Sequence, residues 1–347
     1  MAGALTDPTL APVAFGRRAV PQLFGDLLQP ETRTRLRALG SLCDLIHDPE
    51  RIYQTANGGF LDQLVVLFKD EDSSVRTKTC ELLHLLTSHS IGRQALLASC
   101  LLPPLSQLLD DSSSSCRRSV HCVLSRLALL PAGAAALLSL VPKLMLKLRE
   151  HEEHEEEHEE EVLLLSTIGS CSRLDALPAL ASDGVSLLGR KLSHRSPNIR
   201  REAAGALMAL SVCEDGRRQV CEEALLPVLV ELLQDEDVEV QANAAGVIMY
   251  TGIITAGKQR CLDLNVIPVL LDLVSREKQE EEEERRRRKA LVMYSLRALS
   301  SLAEAPAGRR LLLEQLPLLV RRSEAAEEDQ DVRRAAQTAV RVVTWTP

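Results

Sequence analysis

The chain has 347 residues, enough to bury a substantial core, yet only 2% of its side chains are aromatic against 45% hydrophobic. Such a core must be built from Leu, Ala, Val and Ile, which suits stacked helices and argues against a sheet sandwich rich in aromatic and β-branched residues. A net charge of −8 makes nucleic acid and anionic membrane surfaces poor default partners.

The N-terminal stretch MAGALTDPTLAPVAFGRR has no basic segment leading into an apolar run, so no secretory signal is expected. Residues 1–17 read as an extension ahead of the first repeat. Nine cysteines, at 43, 80, 100, 116, 122, 171, 213, 221 and 261, stand singly with no C-x-x-C pair. They read as small buried residues of a reducing compartment. The longest uncharged stretches, such as residues 128–142, reach about 15 residues and fall short of the roughly 20 that span a bilayer. A cytoplasmic or cytoskeletal protein with no membrane partner is the expectation.

An apolar-Pro-x-Leu anchor, or a degenerate copy of it, starts at Val20, Leu61, Leu102, Val141, Val185, Leu226, Ile267 and Leu316. The steps between anchors are 41, 41, 39, 44, 41, 41 and 49 residues. Repeats are therefore placed at about 18–58, 59–99, 100–138, 139–182, 183–223, 224–264, 265–313 and 314–347. Residues 225–265 show the internal pattern most clearly. LLPVLVELL reads as a short amphipathic helix whose Pro sits in the first turn, where its missing N–H has no partner to lose. Gln234-Asp235-Glu236-Asp237 is an acidic helix start suited to the positive end of the helix dipole. A longer helix carries Val238, Val240, Ala244, Ala245, Val247 and Ile248 and breaks near Gly252 and Gly257. A third short helix runs from Lys258 to Leu264. Three helices per repeat predict an all-α, armadillo-type right-handed superhelical solenoid of about eight repeats, with the long helices lining a concave binding surface.

The two long steps coincide with two charge-rich tracts. In the first, HEEHEEEHEEE at 151–161, His154-Glu155-Glu156-Glu157-His158 matches the His-Glu-x-x-His of zinc proteases. No third ligand follows at the metzincin position, and His151, His154 and His158 continue into the apolar stripe Val162, Leu165, Ile168. They are read as partly shielded neutral imidazoles, with incidental metal binding left as an alternative. The other histidines, 47, 84, 89, 121 and 194, are spread over four repeats. In the second tract, 277–289, Glu281 to Glu284 each precede an Arg by four residues, which predicts a solvated helical extension with surface ion pairs. With no phosphate loop and no nucleophile elbow, neither an enzyme nor a cofactor nor a small-molecule substrate is expected.

Nuclear-import receptors of the armadillo fold carry a Trp and, four residues on, an Asn along their concave helices. Here the Trp positions hold Gly40, Glu81, Cys122, Gly205, Gly246, Arg297 and Thr338, and the Asn positions hold Asp44, Leu85, Arg126, Ala209, Tyr250, Ser301 and Val342. Import cargo is thereby disfavoured. The strings LCDLIHDPE (42–50), NAAG (243–246), LAEAPAGR (302–309) and the closing VVTWTP (342–347), together with FGRRA (15–19), resemble the radial spoke head 14 homologs essentially end to end. The two charged tracts depart from that family's pattern. The resemblance implies a non-enzymatic scaffold of the radial spokes, in the axoneme of motile cilia and sperm flagella, that helps regulate beating through contacts with other spoke or axonemal proteins. A soluble cytoplasmic adaptor for signalling or axonemal pre-assembly is the alternative. Asp44, Glu81, Arg126, Tyr250, Arg297 and Ser301 are the candidate groove residues.

Overall fold

A computed structural model describes residues 18–150, 158–275, 282–325 and 329–345. All regular elements among them are helical, and no strand occurs among the described residues. The helices form two compact units, Met1–Leu140 and Val141–Pro347. In each unit a long helix alternates with pairs of short ones. The long helices are labelled α1 (Thr32–Leu45), α2 (Ser73–Thr87), α3 (Ser114–Ala128), α4 (His158–Ser172), α5 (Pro197–Leu210), α6 (Val238–Thr251), α7 (Glu282–Leu302) and α8 (Gln330–Val343).

The repeat around α6 shows why the chain folds this way. The short helix Leu226–Leu232 starts on a Pro and buries Leu226, Leu229 and Leu232. Asp235 then accepts the Asp237 N–H at 2.9 Å, and Asp237 in turn caps α6 by accepting from Glu239 and Val240 at 2.8 and 3.1 Å. The acidic turn thus satisfies helix-start donors that would otherwise be orphaned. α6 buries the expected Val240, Ala244, Ala245, Val247 and Ile248.

The next helix begins at Thr255, three residues before the expected Lys258. Gly257, expected as a breaker, lies in its first turn, where a Cβ would stand 2.2 Å from the Thr251 carbonyl oxygen. The same approach recurs at Gly92, Gly133, Gly216 and Gly308, each 2.0 to 2.2 Å from a carbonyl near the end of a long helix. Absence of a side chain, not backbone freedom, is what these positions require.

A second recurring device ties one repeat to the next. The fourth residue of α2, Arg76, pairs with Asp111 at 2.6 Å and donates to the carbonyls of Asp70 and Glu71 at 2.7 and 3.2 Å. Arg35 does the same with Asp70 at 2.9 Å, and Arg200 with Asp235 at 2.7 Å. Each arginine therefore closes the turn before its own helix and grips the turn before the next long helix. The Asp111 side chain is 4% exposed and that of Asp235 6%. The Arg76 hydrogen bond holds the Asp111 carboxyl below its usual range, so its contribution to stability is present above the unfolded carboxylate value of about 3.9 and is lost as pH falls through the lower folded value.

Six cysteines are buried, Cys122 and Cys213 are partly so, and Cys100 is exposed. Burial pushes the Cys43 and Cys261 thiols up to about 12 and Cys171 to about 11, which makes them unreactive. The segment Pro131–Glu150 is long and apolar enough, by length and composition, to cross a membrane, 20 residues at a mean hydropathy of 1.3. It was passed over in the sequence because charges enter at Lys143. It consists of the helix Pro131–Leu137, the single 3-10 turn Leu138–Leu140 and the helix Val141–Glu150, the last belonging to the second unit.

His151, His154 and most of the His-Glu-x-x-His string lie outside the described residues. In α4, Leu165 and Ile168 are buried as expected, but Val162 is only half-buried while Glu161 is 4% exposed. The reason is Lys191, whose ammonium pairs with Glu161 at 2.7 Å. The second tract also differs from a purely solvated extension. Arg287 pairs with Glu283 at 2.8 Å, as its spacing predicts. Arg288, however, is buried and donates to the Leu273 carbonyl, and Lys289 bridges Asp329 and Asp331 at the start of α8 at 3.0 and 2.9 Å.

Arg200→Ala should lower stability by about 3 kcal/mol, because it leaves the buried Asp235 carboxylate unpaired. Gly257→Ala should cost about 2 kcal/mol by overpacking. Arg218→Ala, which breaks exposed pairs with Asp215 and Glu222, should change it by less than about 0.5 kcal/mol. Urea unfolding midpoints of the three variants check the ranking.

Candidate functional site

Within the Val141–Pro347 unit, α4 to α7 stand side by side around an open cavity of about 490 Å³. Small residues bring these helices together. A Cβ on Gly169 of α4 would sit 3.2 Å from the Ala206 Cα of α5, and one on Gly246 of α6 would meet the Met208 sulfur of α5. On Gly205 it would lie 3.2 Å from the Asn243 amide. The walls come from longer side chains, among them Arg173, Glu202, Asn243 and Tyr294.

Most of this polar lining is engaged within the fold. Asn243 donates to the Arg201 carbonyl at 3.0 Å, and Arg201 pairs with Asp237 and, at 3.0 Å, with Glu239. Burial pushes the Glu202 carboxyl above its usual range, opposed by a hydrogen bond to Ser166 and by the charges of Arg201 and Arg173. The result is a groove with fixed donors and acceptors and charges of both signs, the chemistry of a binding surface.

The sequence-selected residues fall beside this cavity or in the other unit. Tyr250 is half-buried on α6, Arg297 is exposed on α7, and the Ser301 hydroxyl donates to the Arg297 carbonyl at 3.3 Å. Ser301 lies against the end of α6, its Cβ 3.6 Å from where a Gly252 Cβ would stand. None of the three lines the cavity. In the Met1–Leu140 unit, Lys78 pairs with Glu81 at 2.9 Å, with exposed Asp44 close enough to act on the same ammonium. Arg126 donates to the His84 carbonyl and, at 2.6 Å, to the Ser88 hydroxyl, so its guanidinium closes the end of α2.

The lining residues missed in the sequence are displaced by one turn. Glu202, Asn243 and Tyr294 each lie three residues before an aligned Trp position, Gly205, Gly246 and Arg297. Residues three apart share one face of a helix, so these side chains stand on the same face as the aligned positions, one turn earlier. The glycine at the aligned position was itself the signal that the groove is furnished from its neighbours.

Separation of the histidines by repeat does not keep them apart. His158 of α4 and His194 of the turn before α5 meet edge to face, ring centres 5.2 Å apart, and with Glu161 they place three donor atoms within 4.8 Å of one another. The donor set would suit a transition metal. Its lone pairs are directed elsewhere, though. Glu161 holds Lys191, and the His194 Nδ1 accepts the Ser196 N–H at 3.0 Å. A ligating imidazole needs a protonated second nitrogen that donates, the opposite of what His194 does.

Glu202→Gln should stabilise the fold at pH 7 by less than about 1 kcal/mol while keeping a hydrogen-bond partner for Ser166. A carboxyl raised on folding loses stability as pH rises from about 4.3 through its folded value, so the variant should also flatten that dependence. Urea unfolding at pH 4 and pH 7 checks both.

Known structures share this architecture. A designed armadillo repeat protein superimposes with a TM-score of 0.61 at 20% identity, covering 67% of this chain and 99% of its own. A second, solved in complex with the peptide (KR)4, gives 0.58 at 21%, again covering 67% and 99%. An engineered protein from a structural genomics consortium gives 0.58 at 17% over 94% of this chain and 99% of its own. These likenesses establish the armadillo-type solenoid fold. Residues 67–279, more than half of the sequence, match the family described as dynein axonemal assembly factor 5-like, TPR repeats, and the chain belongs to that family.

Proposed function

We propose that the protein is a non-enzymatic scaffold of the axoneme whose long-helix face holds an extended segment of a partner protein, and that its place is in the radial spokes of motile cilia and sperm flagella. The observation that carries the docking part is the cavity shared by four consecutive long helices, closely packed at glycines and walled by polar side chains. A peptide bound to a designed protein of the same fold supports the mode of binding. The axonemal setting is supported by the family, and the spoke assignment by the sequence strings shared with the radial spoke head 14 homologs. Tyr250, Arg297 and Ser301 are proposed as secondary contacts beside this groove, and Asp44, Glu81 and Arg126 as partner contacts on the long helices of the Met1–Leu140 unit.

The family description favours a second reading, a soluble cytoplasmic factor acting in axonemal pre-assembly. The two differ in where the protein resides. Detergent extraction of multiciliated cells expressing a tagged chain should leave it with the axonemes if it is a spoke component. Recovery wholly in the soluble fraction would favour the assembly reading.

Docking is tested separately. Arg173 and Arg297 are both exposed, so Arg173→Glu with Arg297→Glu should leave the helical spectrum unchanged. Co-purification of spoke proteins should fall about tenfold, the consequence of losing about 1.4 kcal/mol of binding free energy. Undiminished recovery would remove the groove from the account.

A further inference from the structure

The ladder of Arg–Asp pairs changes chemistry at the junction of α4 and α5. Counting 41 back from Asp235 reaches His194, and 41 back from Arg200 reaches Glu159, next to His158. At the junction of α4 and α5 the aspartate's place is thus taken by His194, and His158, one residue before the arginine's place, meets it. His194 keeps the local role of the aspartate. Its Nδ1 accepts the N–H of Ser196 at 3.0 Å, just as Asp70, Asp111 and Asp235 accept the N–H two residues on at 3.0, 2.8 and 2.9 Å. The His158 Nε2 stands 3.2 Å from the Arg195 guanidinium, which can only donate. Each imidazole therefore has one nitrogen filled by an N–H, and protonating the His194 Nδ1 would set two donors against each other.

We propose that the α4–α5 junction is a proton-operated joint, closed while His194 is neutral and loosened when it gains a proton. The surroundings reinforce this. Lys191, from the helix Gly184–Lys191, and Arg195 face the pair, and Arg200 of α5 reaches the carbonyls of His194 and Arg195. The carboxylate facing it, Glu161 of α4, is committed to Lys191. On the Val141–Glu150 helix, also packed on α4, Lys147 and Glu150 pair with each other and Arg149 reaches Asp183. Burial, with the charges of Lys191 and Arg195 and the neighbouring His158, depresses the His194 imidazole, and Glu161 only partly opposes this.

The unfolded chain therefore binds more protons than the folded one as pH falls from about 6.5. The rung is complete above that value and weakens as pH drops through the lower folded one. Arg–Asp rungs do not titrate in this window. Because α4 and α5 form one wall of the cavity, opening the joint would alter docking; that consequence rests on the proposed function, whereas the joint itself does not.

Hydrogen exchange of the full chain at pH 7.5 and 5.5, corrected for intrinsic rates, tests the joint without any partner. Residues 158–165 and 194–200 should lose about fivefold or more in protection relative to the α5–α6 junction; one proton can supply up to about tenfold per pH unit. His158→Arg with His194→Asp, which sets an arginine–aspartate pair in place of the two imidazoles, should abolish the difference while keeping the fold. His194→Asn, which can still accept from Ser196, should reduce it. His151→Gln with His154→Gln should leave it intact. An equal pH response in the Arg–Asp variant, loss of the response on removing His151 and His154, or loosening spread evenly over all junctions would each overturn the proposal.

Discussion

A long helix in this protein has apolar flanks on both sides and nothing in its own repeat large enough to cover them. In α6, ten of fourteen residues are buried, and they can be so only because α5 and α7 lie against it. That requirement governs the rest of the structure. Stability becomes a sum of nearest-neighbour interfaces, each worth what its apolar contact area and its cross-repeat bonds supply. The glycines at helix corners and the small residues between α4, α5 and α6 exist to let backbones come close enough for those interfaces to form.

Apolar stacking alone does not fix register, and the polar devices do that work. An aspartate placed at the turn serves its own helix start and the arginine of the preceding repeat together. Losing either member strands a nearly buried charge, so the rung is specific in a way that leucine contacts are not. The α4–α5 junction keeps the geometry of that rung and changes its chemistry. Arg288 and Arg322 solve a related problem at the helix Val266–Ser275, whose terminal carbonyls they satisfy.

The repeat was legible because its signals are local. A proline in a first turn, a leucine pair and an acidic helix start lie within about fifteen residues, and eight copies of them locate the short and long helices. What escaped was set by contacts between repeats. The pairing of Arg200 with Asp235, the burial of Glu161 by Lys191 and the meeting of His158 with His194 all span about 30 to 36 residues. No window of one helix reveals them. Tyr250, Arg297 and Ser301 fall on α6 and α7 but outside the cavity lining, and Asp44, Glu81 and Arg126 fall on α1 to α3; alignment finds equivalent backbone positions, while packing between helices decides which side chains line a cavity. Gly257 was read as a stop because glycine usually is one; its role here is steric and lies against a neighbouring helix.

On the proposed function, a partner docks on the face that stacking of the long helices creates. Here the long helices hold their polar side chains in fixed positions across four repeats, with most charges already balanced, so a partner meets preorganised donors and acceptors instead of a mobile basic or acidic surface. The most direct measurement is hydrogen exchange of the full chain with and without purified radial spoke complexes. Protection should rise along α4 to α7, around Gly169, Gly205, Asn243 and Tyr294. Protection confined to the short helices Glu214–Glu222, Thr255–Asp263 and Pro306–Glu314, with α4 to α7 unchanged, would contradict it.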